Sequence, residues 1–273
     1  MQYDPVKRSL GNVFNRSPFL RKVFYALLDL LLLRAWHVHK ELRKWKDQVG
    51  KSTGSASLSI YDAGAGYGQY TYWLSARLPK ADILALDVKE EQVADCNAFF
   101  GAIGRNKVKF AVGDVTKYQM PSAYDLVVCV DVMEHILEDE AALRCYSTSL
   151  KPGGMLVIST PSDQGGSDVH DEGEGSFIEE HVRDGYNIDD LKAKCLRNGF
   201  SKVEARYSYG TPGKISWRLS MKWPLLMLNT SKLFFIILPF YYVLTYPFAY
   251  LLNWLDVSMT HSTGTGLIVK AWK

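Results

Sequence analysis

The stretch Ile60-Tyr61-Asp62-Ala63-Gly64-Ala65-Gly66-Tyr67-Gly68 decides how this 273-residue chain is read. An apolar run ends in an acid, and three alternate glycines follow before helix-forming sequence begins. Glycines at a strand-to-helix turn let the backbone bend sharply and let a ligand approach it closely. A dinucleotide fingerprint, Gly-x-Gly-x-x-Gly, would put its third glycine at 69, where this chain has Gln69. That departure disfavours a nicotinamide-dependent oxidoreductase. An acid ahead of the turn, Asp62, suits a ligand with a positive amino group rather than a pyrophosphate.

Outward from that turn, strands and helices alternate. Short apolar runs at 58–63, 83–88, 108–112, 126–130 and 155–159 read as strands, with helical stretches at 70–78, 90–103 and 139–150 between most of them. Such runs between helices mark a buried parallel sheet, so the fold class is α/β, doubly wound. A helix at about 188–198 and strands at 203–209 and 266–272 complete the core. Acids recur where the strands end. Asp87, nineteen residues beyond Gly68, stands where a carboxylate accepts both ribose hydroxyls of an adenosine. Asp114, after the third strand, is placed to meet an adenine amino group.

In order and spacing these residues resemble the motifs of class I S-adenosylmethionine-dependent methyltransferases, and more loosely those of ubiquinone/menaquinone-type small-molecule methyltransferases. The matching elements are Asp62 to Gly68, Asp87, Gly113-Asp114, Tyr124 to His135, and Leu150-Lys-Pro-Gly-Gly154; the match covers 57–210 and 264–273. The resemblance implies a seven-stranded Rossmann-like sheet whose last strand is antiparallel. It implies S-adenosylmethionine as cofactor and S-adenosylhomocysteine as product, held by Asp62, Gly64, Gly66, Tyr67, Gly68, Asp87, Val88, Asp114, Val115 and Asp131. Gly64 and Gly66 would meet the methionine part, Asp87 the ribose and Asp114 the adenine. Glu134 and His135 follow the fourth strand, where such enzymes present cofactor to substrate. His135 is the preferred base for a hydroxyl acceptor, since neutral imidazole suits that task near pH 7. The blander alternative is that the pair caps the following turn. In loosely similar enzymes an acid-x-x-Glu-His run is linked to divalent metal; a metal is not expected here.

Composition sets the outer bounds. Hydrophobic residues at 47% and charged residues at 22% exclude a disordered or fibrous chain. Residues 1–56 carry eleven bases against four acids, 57–210 fifteen against 24, and 211–273 six against one. An acidic middle between basic ends argues against a nucleic-acid binder and fits ends that meet an anionic surface. Cys96, Cys129, Cys145 and Cys195 form no Cys-x-x-Cys pair, so neither a disulfide framework nor a thiolate zinc site is indicated. The loop 162–185 holds seven acids before its first base and reads as a substrate lid, with His181 and Arg183 reaching the substrate. A direct catalytic part for His170 or His181 is a lesser expectation.

Residues 17–48 read as one long helix with basic flanks, in which His37 and His39 are surface or packing residues. Far along the chain, 233–255 is 23 residues without a charge, interrupted by Pro239 and Pro247. Some 20 apolar residues suffice for a membrane span. A single crossing, however, would part strands 203–209 and 266–272, which belong to one sheet. The expectation is a re-entrant or interfacial insertion, with helices broken near Pro239 and Pro247. Trp217, Trp223, Tyr241, Tyr242, Tyr246 and Trp254 would lie at headgroup depth, and the bases at 214, 218, 222 and 232 would face anionic lipid. A hydrophobic lid or dimer interface is the alternative.

Three parts follow: a basic N-terminal helical segment (1–56), the core (57–210 with 264–273), and an apolar insertion (211–263). The expected activity is methyl transfer to an apolar, membrane-associated small molecule, such as a quinone precursor, a phenolic lipid or a fatty-acid-like acceptor. The expected location is the cytoplasmic side of a membrane. The rival is a membrane-associated sensor that binds S-adenosylmethionine without turnover.

Overall fold

The computed structural model describes residues 17–52, 57–165, 182–231 and 233–273. Seven strands, β1 (Ser59–Ala63), β2 (Asp82–Asp87), β3 (Val108–Val112), β4 (Tyr124–Val130), β5 (Leu150–Pro161), β6 (Lys202–Ser208) and β7 (Gly266–Trp272), form one sheet in the order β3-β2-β1-β4-β5-β7-β6. β7 is antiparallel to β5 and β6, and the remaining pairings are parallel. The last strand is therefore antiparallel, as the resemblance implied. Winding reverses between β1 and β4, so the chains leaving these strands diverge and open a crevice at the carboxyl edge. Ile60, Tyr61, Leu126, Val127, Val128, Leu156 and Val157 are fully buried. Strands covered on both faces need apolar side chains at consecutive positions, which is why the sequence shows runs rather than alternation.

The N-terminal segment departs from expectation. It forms two helices, α1 (Pro18–Leu31) and α2 (Leu33–Ser52), parted at Leu32, whose backbone is extended (φ −88°, ψ 110°). Ser17 caps α1 by accepting from the Leu20 amide at 3.2 Å, and Pro18 takes a first-turn position where its missing N–H costs nothing. No glycine or proline marks the break. Its cause is tertiary: the Leu30 carbonyl accepts from Trp36 Nε1 (3.1 Å) and Tyr246 Oη (2.6 Å), while the Arg34 amide donates to Tyr209 Oη (3.0 Å).

Nor is this segment a separate basic arm. Val38, Leu42 and Trp45 join the core cluster on one face of the sheet, with Trp73, Leu74 and Met155. Arg21 is buried and donates to Tyr25, Asp95 and Tyr67, and Lys40 reaches the Val257 carbonyl. Charges expected at an anionic surface are thus partly consumed inside the protein. His37 and His39 are packing residues, as expected. His39 stacks on Trp73 at 4.6 Å, and burial pulls its pKa down to about 3.

Helices α3 (Gln69–Arg77), α4 (Glu90–Ala102), α5 (Asp139–Ser149) and α6 (Ile188–Arg197) complete the core. Between β6 and β7 rises a helical hairpin: α7 (Thr211–Trp217), a π-helical turn at Arg218–Lys222, α8 (Trp223–Thr230) and α9 (Phe234–Ser258). The expected breaks at Pro239 and Pro247 do not occur, and α9 is continuous through both. An interior proline costs about 3 kcal/mol. Side-chain bonds tie α9 to the segment before it: Tyr241 donates to the Leu219 carbonyl (2.7 Å), Tyr242 to Ser220 (2.8 Å), and Ser216 to Ala249 (3.0 Å). The first two acceptors lie in the π-helical turn, where the ordinary i→i+4 ladder is displaced. Through their hydroxyls Tyr241, Tyr242 and Tyr246 brace the hairpin. The outward face of α9 is apolar and open, with Ile236, Phe240, Val243 and Leu244 each more than two-thirds exposed.

Candidate active site

The site is built where β1 and β4 end. Gly64 has φ +74°, and a Cβ there would overlap Val132 at the tip of β4, so two crevice walls touch through this glycine. Gly66 has φ +52°, but a Cβ there would meet nothing within 4 Å. Its backbone faces an open groove, as a close-approaching ligand requires. Asp87 braces the turn: its carboxylate accepts from the Gly66 amide at 2.8 Å and the Lys89 amide at 3.0 Å. Each of those oxygens keeps a second lone pair for a hydroxyl. Val88 beside it is half exposed and offers an apolar wall.

Asp62 lies beneath the turn. It is buried, accepts from Thr71 Oγ1 at 2.5 Å, and burial lifts its pKa to about 6. It steadies the base of the groove, a role its sequence position alone did not reveal. Asp114 accepts from the amide and hydroxyl of Thr116 (2.9 and 2.7 Å), bonds that hold its pKa below the usual range. Val115 packs its side chain in the core, so only its backbone is available to a ligand. Tyr67 accepts from Tyr25 (2.5 Å) and Arg21 (3.1 Å) through its carbonyl, which ties the glycine turn to α1.

The tip of β4 brings together groups that sequence spacing did not. Asp131 sits in the left-handed region (φ +51°), which a short polar side chain tolerates best, and forms an ion pair with Arg34 from α2. Burial opposes the charge on Arg34, but the Asp131 carboxylate outweighs it and keeps the guanidinium protonated. Arg34 Nε and Tyr70 Oη are buried without a hydrogen-bond partner. Tyr70 stands two residues beyond Gly68, in the first turn of α3. Unpaired buried donors are costly and rare, and both of these belong to residues grouped with Asp131.

Three comparisons with known proteins bear on this arrangement. Residues 60–154 match a family model described as a methyltransferase domain. A ubiquinone biosynthesis O-methyltransferase from Chromobacterium violaceum is 28% identical over 42% of this chain and 49% of its own length. One from Leptothrix cholodnii is 29% identical over 46% of this chain and 54% of its own. The chain thus spans about half the length of these curated relatives. Phosphoethanolamine N-methyltransferase 2 from Haemonchus contortus, solved with S-adenosyl-L-methionine, superposes with a TM-score of 0.58 at 16% identity, over 85% of this chain and 52% of that one. This protein carries a class I S-adenosylmethionine-dependent methyltransferase domain.

The residues of this methyltransferase domain fit its cofactor. The open space beside Gly66 would take the methionine part, and Asp87 keeps lone pairs for ribose hydroxyls. Asp131 suits an ammonium, while Arg34 and Tyr70 offer their unpaired donors to a carboxylate. Arg34 was not foreseen as a site residue; its only sequence signal is a base within the apolar run ahead of the glycine turn.

Other expected residues are otherwise engaged. Glu134 is buried, accepts from Thr160 Oγ1 at 3.0 Å, and has its pKa pushed up to about 8 by burial and then by Asp131. Both effects favour its protonated form, which is no base. His135, its neighbour on the 3-10 turn Met133–His135, is exposed. The two side chains do not share an environment, which disfavours joint metal ligation. Among the described residues no group of three or more His, Cys, Asp or Glu is arranged to hold a metal ion. Arg183, expected at the substrate, instead pairs with Asp139 and donates to the Ile136 carbonyl at 2.7 Å. Tyr186 and Lys194 join it on Asp139 (2.9 and 2.8 Å), making a pin between the start of α5 and residues 183–194. His170 and His181 lie outside the described residues. A cavity of about 350 Å³ lined by Glu41, Trp45, Lys202 and Trp272 opens at the opposite, amino-terminal edge of β5 and β6 and is no part of this site.

Proposed function

We propose that the protein transfers a methyl group from S-adenosylmethionine to an apolar small molecule drawn from a membrane surface on its cytoplasmic side. The observation that carries the membrane half is the outward face of α9. This 25-residue helix has a mean hydropathy of 1.6 over its most apolar window, and only 11% of that window is buried. A core helix of the same composition would be covered. Contiguous exposed apolar surface of this extent marks an interaction site. Trp223, Leu225 and Leu226 on α8 extend it, and Lys214, Arg218 and Lys222 give its base a positive charge toward anionic headgroups. Both ends of the hairpin return to one sheet, so a single crossing does not fit, and a re-entrant or interfacial seat is the reading.

The cofactor supplies an activated methyl group on a sulfonium. What remains for the protein is to hold the acceptor in line at short range and to remove a proton where the acceptor needs it. His135, exposed at the same carboxyl edge, is the group proposed for that proton when the acceptor is a hydroxyl, as the name of the O-methyltransferase relatives suggests. A phenolic quinone precursor, a phenolic lipid or a fatty-acid-like molecule fits this reading. The test is direct: incubate the purified protein with methyl-labelled cofactor and a membrane extract, then identify the product by mass spectrometry. Label in an extractable apolar molecule is expected. Cofactor binding without transfer to any extract would favour a non-catalytic sensor. Failure to co-sediment with vesicles would remove the membrane half.

A further inference from the structure

In an unbroken helix the Arg34 amide would donate to the Leu30 carbonyl, four residues back. In this protein that bond is exchanged. The Leu30 carbonyl takes the Tyr246 hydroxyl (2.6 Å) and Trp36 Nε1, and the Arg34 amide takes the Tyr209 hydroxyl (3.0 Å). Tyr246 belongs to α9, the apolar helix. Tyr209 is the residue through which the chain leaves β6 for the hairpin. Both halves of the broken bond are thus held by the hairpin, while the side chain of Arg34 pairs with Asp131 at the cofactor groove.

Tyr209 is itself held by α9. It has φ +55°, rare for an aromatic residue, and such strain persists only where the surroundings enforce it. Its amide donates to Asp256 Oδ1 at 3.1 Å. Asp256, fully buried near the end of α9, also accepts from His37 Nε2 (2.8 Å) and the Gly213 amide (2.9 Å). His261 Nε2 lies 3.2 Å from its other oxygen. A Cβ at Gly213 would come within 2.6 Å of that carboxylate, so the junction is closely packed. The path runs from the foot of α9 through Asp256 and Tyr209 to Arg34 and Asp131, and a second runs from mid-α9 through Tyr246 to Leu30.

We propose that Tyr209 and Tyr246 are positioning residues which hold the α1–α2 break open and thereby set Arg34 in the cofactor groove according to how the hairpin is seated. The two-state element is explicit: either the tyrosines hold the break, or the Arg34 amide returns to the Leu30 carbonyl and its side chain turns away from Asp131. Lipid under α9 favours the first state because α9 carries one of the tyrosines and anchors the other. A surface with unequal affinity for two states shifts their populations, and the coupling must be reciprocal. This inference rests on the membrane reading above and adds to it that docking tunes the cofactor site.

The experiment uses the full chain, vesicles of phosphatidylcholine with phosphatidylglycerol, and S-adenosylhomocysteine as calorimetric probe. Wild type, Tyr209→Phe, Tyr246→Phe and the double variant are each titrated with and without vesicles, and co-sedimentation is measured in parallel. In wild type, vesicles are expected to tighten probe binding about five-fold or more, the usual floor for site-to-site coupling. Saturating probe should tighten vesicle binding by the same factor. In the double variant co-sedimentation is retained while the factor falls to about one, and amide exchange at residues 30–36 loses its response to vesicles. A wild type that sediments but binds the probe equally well with and without lipid overturns the coupling and spares the membrane reading. Persistence of the full factor in the double variant also overturns it. A wild type that does not sediment removes both.

Discussion

Gly64 and Gly66 look alike in sequence, yet the structure gives them different burdens, and paired alanine substitutions separate these. At Gly64 an added methyl must occupy φ +74° and overlap Val132. The left-handed backbone costs about 1–2 kcal/mol and the overpacking about 1–3 kcal/mol, so Gly64→Ala should lose about 2–5 kcal/mol. At about 2–4 °C per kcal/mol for a chain approaching this size, the melting point should fall by roughly 4–20 °C. At Gly66 the backbone cost is similar (φ +52°) but no atom lies within 4 Å of the new methyl, so the stability loss stays at about 1–2 kcal/mol. That methyl, however, stands in the groove. Cofactor affinity should drop at least about ten-fold, or about 1.4 kcal/mol. Differential scanning calorimetry reads the first quantity and isothermal titration with S-adenosylhomocysteine the second. Unchanged affinity in Gly66→Ala would refute the reasoning that the cofactor lies against this backbone. A Gly64→Ala variant that melts like wild type would refute the contact between the crevice walls.

Other outcomes follow from the same geometry. Glu134 binds its proton more tightly folded (pKa about 8) than unfolded (4.5), so stability falls as pH rises from about 5 to 8 and levels off above. The steepest loss is about 1.4 kcal/mol per pH unit. Glu134→Gln should flatten that slope in thermal melts, and a slope unchanged in the variant would contradict the burial of this carboxyl. Arg34→Ala leaves Asp131 without its partner at the groove and should weaken S-adenosylhomocysteine binding at least about ten-fold, again by titration; wild-type affinity would remove Arg34 from the site. Phe240→Asp with Leu244→Asp takes two apolar side chains from the lipid-facing surface, each worth about 1.5–3 kcal/mol when buried. Vesicle co-sedimentation should fall by well over ten-fold while cofactor binding in solution persists. His135→Ala should cut turnover with little effect on cofactor affinity, and full turnover would exclude it as the base.

The sheet and the floor of the groove could be read from the residues alone, because both depend on short-range patterns. Consecutive apolar residues require burial on both faces of a strand, alternate glycines permit a turn that strains other residues, and an acid at the next strand tip braces it. The patterns that mark each of these pieces span only a few residues, so the strands, Asp87 and the glycine turn are legible in the sequence. The continuous course of α9 through Pro239 and Pro247, the break at Leu32 and the pairing of Arg34 with Asp131 were not. Each depends on a partner distant in sequence: Tyr241 on Leu219, Tyr209 on the Arg34 amide, Tyr246 on the Leu30 carbonyl. A hydrogen bond between elements contributes about 0.5–1.5 kcal/mol, enough to outweigh a local helix propensity of up to about 0.7 kcal/mol, and no local pattern records which carbonyl a tyrosine will find. For the same reason Glu134 and Arg183 read as exposed chemistry in sequence. Only the packed chain shows one buried and the other pinned to Asp139.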